Sequence, residues 1–223
     1  MSQIIRKQKE TFKVKVITNT LIAPGVHVIE TDKTGAFSPG QVVAVTMHPK
    51  ENLRLYSLAS SPSHPYFRIL FDIKPQGELT PVLSQLKLGD DLFVSKPFGR
   101  FTDQGGEACW IATGTGIAPF VSMMEAGESA NKTLLHGARY LHQFYFASRF
   151  RETMGERYLQ FCTQEKGPGI HQGRLTHYLG QGNRINPELK YYLCGNAEMV
   201  VEVRDLLIGQ GVPFDQIIAE IYF

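Results

Sequence analysis

Residues 108–113 read Ala-Cys-Trp-Ile-Ala-Thr, a continuous apolar run without polar alternation, and Gly114-Thr-Gly-Ile-Ala-Pro119 follows at once. Such a run is too short to cross a membrane and the right length for a strand buried on both faces, as in a parallel sheet covered by helices. The turn opens a helical stretch to about Ala126. Lys132–Ala138 reads as a second strand and Tyr191–Cys194 as a third, with helical patterns between and after them. Strands alternating with helices indicate a doubly wound α/β parallel sheet.

The first hundred residues have a different texture. Phe12, Val14 and Val16 face one way while Lys13 and Lys15 face the other, the period of a half-buried strand. Further strand-like runs fall at 26–31, 41–47, 53–59, 67–73 and 91–96, separated by the turns APG, SPG and KPQG. Short strands at this spacing predict a closed, antiparallel six-stranded β-barrel. The texture changes after Gln104-Gly-Gly106, which puts a boundary near Asp103 and divides the 223 residues into domains 1–103 and 104–223.

Composition narrows the function classes. Hydrophobic residues at 43% and charged ones at 20% suit a chain that buries a real core. The 23 Lys and Arg against 21 Asp and Glu leave +2, but residues 1–100 hold 13 against 8, or +5, and the remainder 10 against 13, or −3. That asymmetry is either a basic face that steers an acidic partner or a scattered, solvated excess. No dense basic run interleaved with aromatics points to nucleic acid. Cys109, Cys162 and Cys194 are odd in number and far apart, so neither a disulfide framework nor a CxxC metal site is expected, and a four-thiolate iron–sulfur cluster is excluded within this sequence. The amino terminus lacks an apolar h-region and no membrane-spanning run follows, so the expectation is a reduced, cytoplasmic monomer.

Three stretches place a turn before a helix, where free backbone N–H groups can hold an anion. In Gly77-Glu-Leu-Thr80-Pro81, Thr80 is a good N-cap and Pro81 suits the first position of a helix over 81–86; capping alone also explains it. Gly114-Thr115-Gly116 opens a helix after a buried strand, with Ala118 and Pro119 where the dinucleotide fingerprint has a third glycine. Cys194-Gly-Asn-Ala-Glu-Met199 repeats the arrangement with Asn196 as N-cap.

RLYS at 54–57, GELTPVL at 77–83, ATGTGIAPF at 112–120, HGARY at 136–140, CGNAEM at 194–199 and the ending AEIYF together resemble the ferredoxin–NADP reductase family, especially its bacterial members, in family order over nearly the whole chain. The resemblance implies an FAD-binding barrel and an NADP-binding α/β domain. It assigns Arg54 to the FAD pyrophosphate, Tyr56 to one face of the isoalloxazine, Ser57 to flavin N5, and Leu55 to the same motif. Guanidinium for phosphate, ring for ring and hydroxyl for a nitrogen that changes protonation are sound chemistry. Gly77, Glu78, Leu79 and Thr80 would meet the FAD phosphates, Thr115 both cofactors, and Tyr222 and Phe223 the flavin or adenine, although many bacterial relatives end in Tyr-Trp.

For NADP(H) the resemblance implies Gly114, Thr115, Gly116, Ala138, Cys194, Gly195, Asn196 and Met199, with Arg139 and Arg174 holding the 2′-phosphate. The Ser-Arg pair that many members place after the next strand is replaced by Thr163-Gln-Glu-Lys166, where Lys166 either substitutes or is solvated. Ser57, Cys194 and Glu220 resemble the polar trio around the nicotinamide: Ser57 for N5, Cys194 for positioning near C4, Glu220 for orienting the trio or passing protons. The activity implied is electron exchange between NADP(H) and a one-electron carrier, ferredoxin or flavodoxin. The alternatives are an NAD(P)H-dependent flavin reductase, an oxygenase reductase component, and a non-enzymatic electron-transfer subunit.

Overall fold

The computed structural model describes residues 9–49, 52–181 and 184–222. Phe223, expected with Tyr222 to cover the flavin or adenine, lies outside the described residues, as does the side chain of Tyr222.

Strands β1 (Thr11–Ala23), β2 (Val26–Asp32), β3 (Val42–Thr46), β4 (Arg54–Ser57), β5 (Tyr66–Asp72) and β6 (Asp91–Ser95) form an antiparallel sheet in the order β4-β3-β6-β1-β2-β5. A bridge between Leu58 and Ile69 joins the two ends and closes the barrel. The long β1 pairs with β6 through residues 11–15 and with β2 from Val16 onward, and an irregularity between Val16 and Thr18 lets one strand serve both walls. Val14, Val16, Ile29, Val45, Phe67 and Phe71 fill the interior, and Leu83 of α1 (Thr80–Leu83) plugs it.

The helix at 81–86 is corrected. α1 spans Thr80–Leu83, and Thr80 does not cap it: the cap position is Leu79, without a side-chain hydrogen bond. Thr80 Oγ1 instead accepts the Lys74 N–H at 2.8 Å, which ties down the β5–α1 loop. The Thr hydroxyl satisfies a turn donor rather than a helix donor, two uses the sequence does not separate.

The second sheet is wholly parallel, in the order β10-β9-β8-β7-β11-β12. Its strands are β7 (Ala108–Thr113), β8 (Lys132–Ala138), β9 (Tyr158–Cys162), β10 (Ile170–Gln172), β11 (Lys190–Asn196) and β12 (Ile217–Tyr222). Side chains alternate between its faces. Trp110, Leu134 and Tyr192 join α2 (Ala118–Glu125) and α3 (Ala147–Met154), while Ile111, Leu135 and Leu193 join α4 (Leu175–Gly180) and α5 (Ala197–Gly209). The apolar run 108–113 is thus the central β7, flanked by β8 and β11 and covered on both faces.

The first of these cores also takes in Ala23, Val28, Ala59, Leu70 and Phe101 from the barrel side, so one apolar interface welds the two sheets. A buried ionic cluster lies beside it. Arg68 of β5 pairs with Glu30 at 3.0 Å and with Glu125 of α2 at 2.8 Å, and Glu125 also pairs with Arg149 of α3.

Candidate functional site

β7 lies between β8 on one side and β11 on the other, so the strand order reverses there and the loops after β7 and β11 diverge. Ligand crevices of open parallel sheets form at the carboxyl ends of strands at such a point. Here a cavity of about 870 Å³ occupies it. Its walls include Gly114 and Thr115 after β7, Ala138 at the end of β8 and Arg139 after it, and Gly195 and Asn196 at the end of β11 with Met199 beyond. Arg174, just before α4, completes the set that the sequence assigns to the nicotinamide cofactor on this surface.

The local backbone explains the glycines. Gly114 has φ +56°, a left-handed conformation that glycine adopts without a Cβ penalty. At Gly116 a Cβ would stand 2.3 Å from the Cys194 carbonyl oxygen, so the turn can press against β11 only without a side chain. Gly116 and Cys194 are therefore buried directly behind the cavity wall rather than lining it. The residues 114–117 form a 3₁₀ turn before α2. Asn196 Oδ1 accepts the Met199 N–H at 2.8 Å, the N-cap expected for α5.

The barrel residues gather at the neighbouring edge. Arg54 and Leu55 of β4 are exposed, Leu55 by 57%, while Tyr56 is half-buried and meets Phe71 edge-to-face at 6.5 Å. Burial and nearby Asp72 push the Tyr56 phenol up to about 12, so it stays neutral. Asp72, next to the Phe71 that Tyr56 meets, lines the cavity together with Tyr145. Gly77 and Glu78 are exposed and Leu79 and Thr80 half-buried; their loop is anchored at Lys74, another cavity residue.

Ser57 is buried and donates its hydroxyl hydrogen to Glu220 Oε2 at 2.6 Å, across 163 residues of sequence. Cys194 of β11 stands in register with Glu220 of β12. The structure therefore brings Ser57, Cys194 and Glu220 together, one from each of three strands. Burial pushes the Glu220 carboxyl above its ordinary value and the Ser57 hydrogen bond partly restores it.

Lys166 is exposed and outside the cavity wall, whereas Thr163 and Gln164 line it. The motifs do not single out Thr113. Thr113 lines the cavity, and its Oγ1, packed against Gly195, is buried with no hydrogen-bond partner among the described residues. A hydroxyl ending a buried strand just before the Gly turn was the available signal. Nor do they single out Glu198 and Glu202, which face the same cavity from α5. The residues present suit a dinucleotide on the parallel sheet and a flat aromatic cofactor on β4: an open crevice, glycine-tight turns, an orphaned hydroxyl and an exposed apolar strand face.

Residues 110–205 match the family model of the oxidoreductase NAD-binding domain. The chain is 30% identical over 207 residues to the ferredoxin–NADP reductase of Azotobacter vinelandii, covering 79% of this chain and 80% of that one. It is 25% identical over 227 residues to the reductase component of the propane 2-monooxygenase of Mycolicibacterium goodii, covering 93% of this chain and 65% of that one. In three dimensions it resembles a ferredoxin NADP+ reductase from Neisseria gonorrhoeae solved with FAD and NADP, with a TM-score of 0.86, 19% identity, and 96% and 99% of the two chains covered. The chain belongs to the ferredoxin–NADP reductase family of FAD- and NAD(P)-binding electron-transfer oxidoreductases. No helix among the described residues is long and apolar enough to cross a membrane, and no group of His, Cys, Asp and Glu there could hold a metal.

Proposed function

We propose that the chain exchanges electrons between NADP(H) and a one-electron carrier, ferredoxin or flavodoxin, through FAD held on the barrel. The observation that carries this reading is the 2.6 Å hydrogen bond from Ser57 to Glu220, which joins the barrel strand next to Tyr56 to the strand paired with Cys194. It supplies a buried hydroxyl and a carboxylate at the meeting of the two cofactor walls.

FAD, when bound, supplies the conversion between a hydride and single electrons. The protein's part is positioning. Arg54, exposed at the start of β4, would meet the pyrophosphate with a planar fork of donors, and Tyr56, kept neutral, would offer an apolar ring face. The backbone around Gly77–Thr80 would meet the phosphates. Gly114, Thr115, Gly195 and Asn196 would admit a dinucleotide backbone closely, and Arg139 and Arg174 would hold a 2′-phosphate. Ser57 Oγ keeps its proton: while it donates to the Glu220 carboxylate it can accept from a second group, and with Glu220 protonated the carboxyl can donate to Oγ and the hydroxyl can donate onward. Cys194, fully buried, would pack behind the nicotinamide ring.

A second reading, the reductase component of an oxygenase, draws support from the propane 2-monooxygenase relative. Reduction of cytochrome c by NADPH separates the two. The carrier reading expects the rate to depend on added ferredoxin or flavodoxin and to fall with salt, since an acidic carrier would meet the +5 of residues 1–100. A carrier-independent rate without salt dependence would overturn it.

A further inference from the structure

The cavity that would hold the dinucleotide has no net charge. Its charged lining is three cations, Lys74, Arg139 and Arg174, and three anions, Asp72, Glu198 and Glu202. Lys74 is paired with Asp72 at 2.6 Å. Arg174, which stands where the 2′-phosphate is expected, has its guanidinium 3.6 Å from Glu202 and 3.8 Å from Glu198, which sit one turn apart on α5. Thr163 and Gln164 on the same surface are uncharged.

Such a wall is ambiguous by design. A carboxylate accepts hydrogen bonds from an unphosphorylated ribose and repels a 2′-phosphate, whereas an arginine beside it favours the phosphate. One guanidinium between two carboxylates leaves the wall locally −1 where selectivity for the phosphorylated cofactor needs a surplus of positive charge. The three groups are solvent-exposed, so their mutual attraction is weak and their field is felt chiefly by a molecule entering the cavity.

Building on the dinucleotide reading of the cavity, we infer that Glu198 and Glu202 are specificity-determining residues that hold down the preference for NADPH and admit NADH as well. The preference of Arg139 and Arg174 for the 2′-phosphate is opposed at the same surface, and the balance is set by α5.

The test is calorimetric titration of the purified flavoprotein with 2′-phospho-AMP and with AMP, for wild type, Glu198→Gln/Glu202→Gln and Arg174→Ala. At a charge separation of about 6 Å in water, removing two carboxylates tightens 2′-phospho-AMP about three- to tenfold at low salt. AMP stays the same or weakens, about 0.5 M salt shrinks the gain, and Arg174→Ala weakens only 2′-phospho-AMP. The KM for NADPH falls in the double variant while that for NADH does not. Equal shifts for both nucleotides, or none, overturn the selectivity role and leave the cofactor reading standing. Wild-type protein that binds neither nucleotide overturns the dinucleotide reading itself.

Discussion

Under the proposed function, electron transfer at this site turns on Ser57 and Glu220. A serine hydroxyl buried against a carboxylate is an expensive arrangement unless both groups are used, because desolvation raises the carboxyl more than the Ser57 hydrogen bond lowers it. Ser57→Ala is expected to slow flavin reduction by NADPH on the order of 100-fold in stopped-flow absorbance, with little loss of dinucleotide affinity. Glu220→Gln addresses the proton. With its pKa raised, the carboxylate is lost at a higher pH than for an ordinary glutamate, so the wild-type rate falls as pH drops through that raised value, and the Gln variant has a flat profile over the same range. Glu128 makes a separate statement about stability. Burial and Asp103 push it to about 7 from an ordinary 4.5, with Lys132 pulling the other way. Its folded form favours the proton, so its stabilising contribution is complete below about pH 4.5 and lost as pH rises through about 7. Glu128→Gln is expected to gain up to about 1 kcal/mol over wild type at about pH 8 and nothing near pH 4, in urea unfolding at the two pH values.

At the scale of the element, the turn after β7 is where sequence and geometry agree most closely. A single methyl at Gly116 would enter the Cys194 carbonyl, and backbone cannot yield as a side chain does. Gly116→Ala is expected to cost about 2 kcal/mol or more and to lower the thermal midpoint, as measured by circular dichroism, because β7 and β11 must part to admit it. The barrel strands, β7, β8, β11 and the Asn196 cap were legible because period-two alternation, an unbroken apolar run and a capping residue before a helix each have one physical cause. The reverse holds for β9, β10 and β12. The five residues of β9, the three of β10 and a half-buried edge strand after a 3₁₀ turn carry too little pattern to delimit, and their place is set by parallel pairing with β8, β9 and β11. Thr80 shows the other limit: its hydroxyl had two local donors within reach, and the loop to Lys74 won over the helix. The motifs name residues that the fold gathers around one cleft, but the opposition of Arg174 by Glu198 and Glu202 depends on α4 and α5 lying side by side, which spacing does not reveal.

Across the whole molecule, function requires two walls held in fixed register, since Ser57 comes from the barrel and Glu220 from the far edge of the parallel sheet. The apolar interface around Val28, Leu70 and Phe101 packs the two walls together, and Arg68 ties β5 to α2 through Glu125. Arg68 is only 6% exposed, so removing Glu125 leaves a buried guanidinium with Glu30 as its remaining carboxylate. Glu125→Ala is expected to cost on the order of 3 kcal/mol and to loosen the parallel sheet against the barrel. Fluorescence of Trp110, the chain's single tryptophan, reports the unfolding in denaturant.

The central claim is that electrons pass between a nicotinamide dinucleotide and a flavin where these two walls meet. Rapid mixing of the purified protein with NADPH, followed by flavin absorbance, tests it most directly. A yellow protein bleached within the instrument's first second, and bleached far more slowly in Ser57→Ala, is the expected result; a protein that binds no flavin, or whose flavin NADPH leaves oxidised, would contradict it.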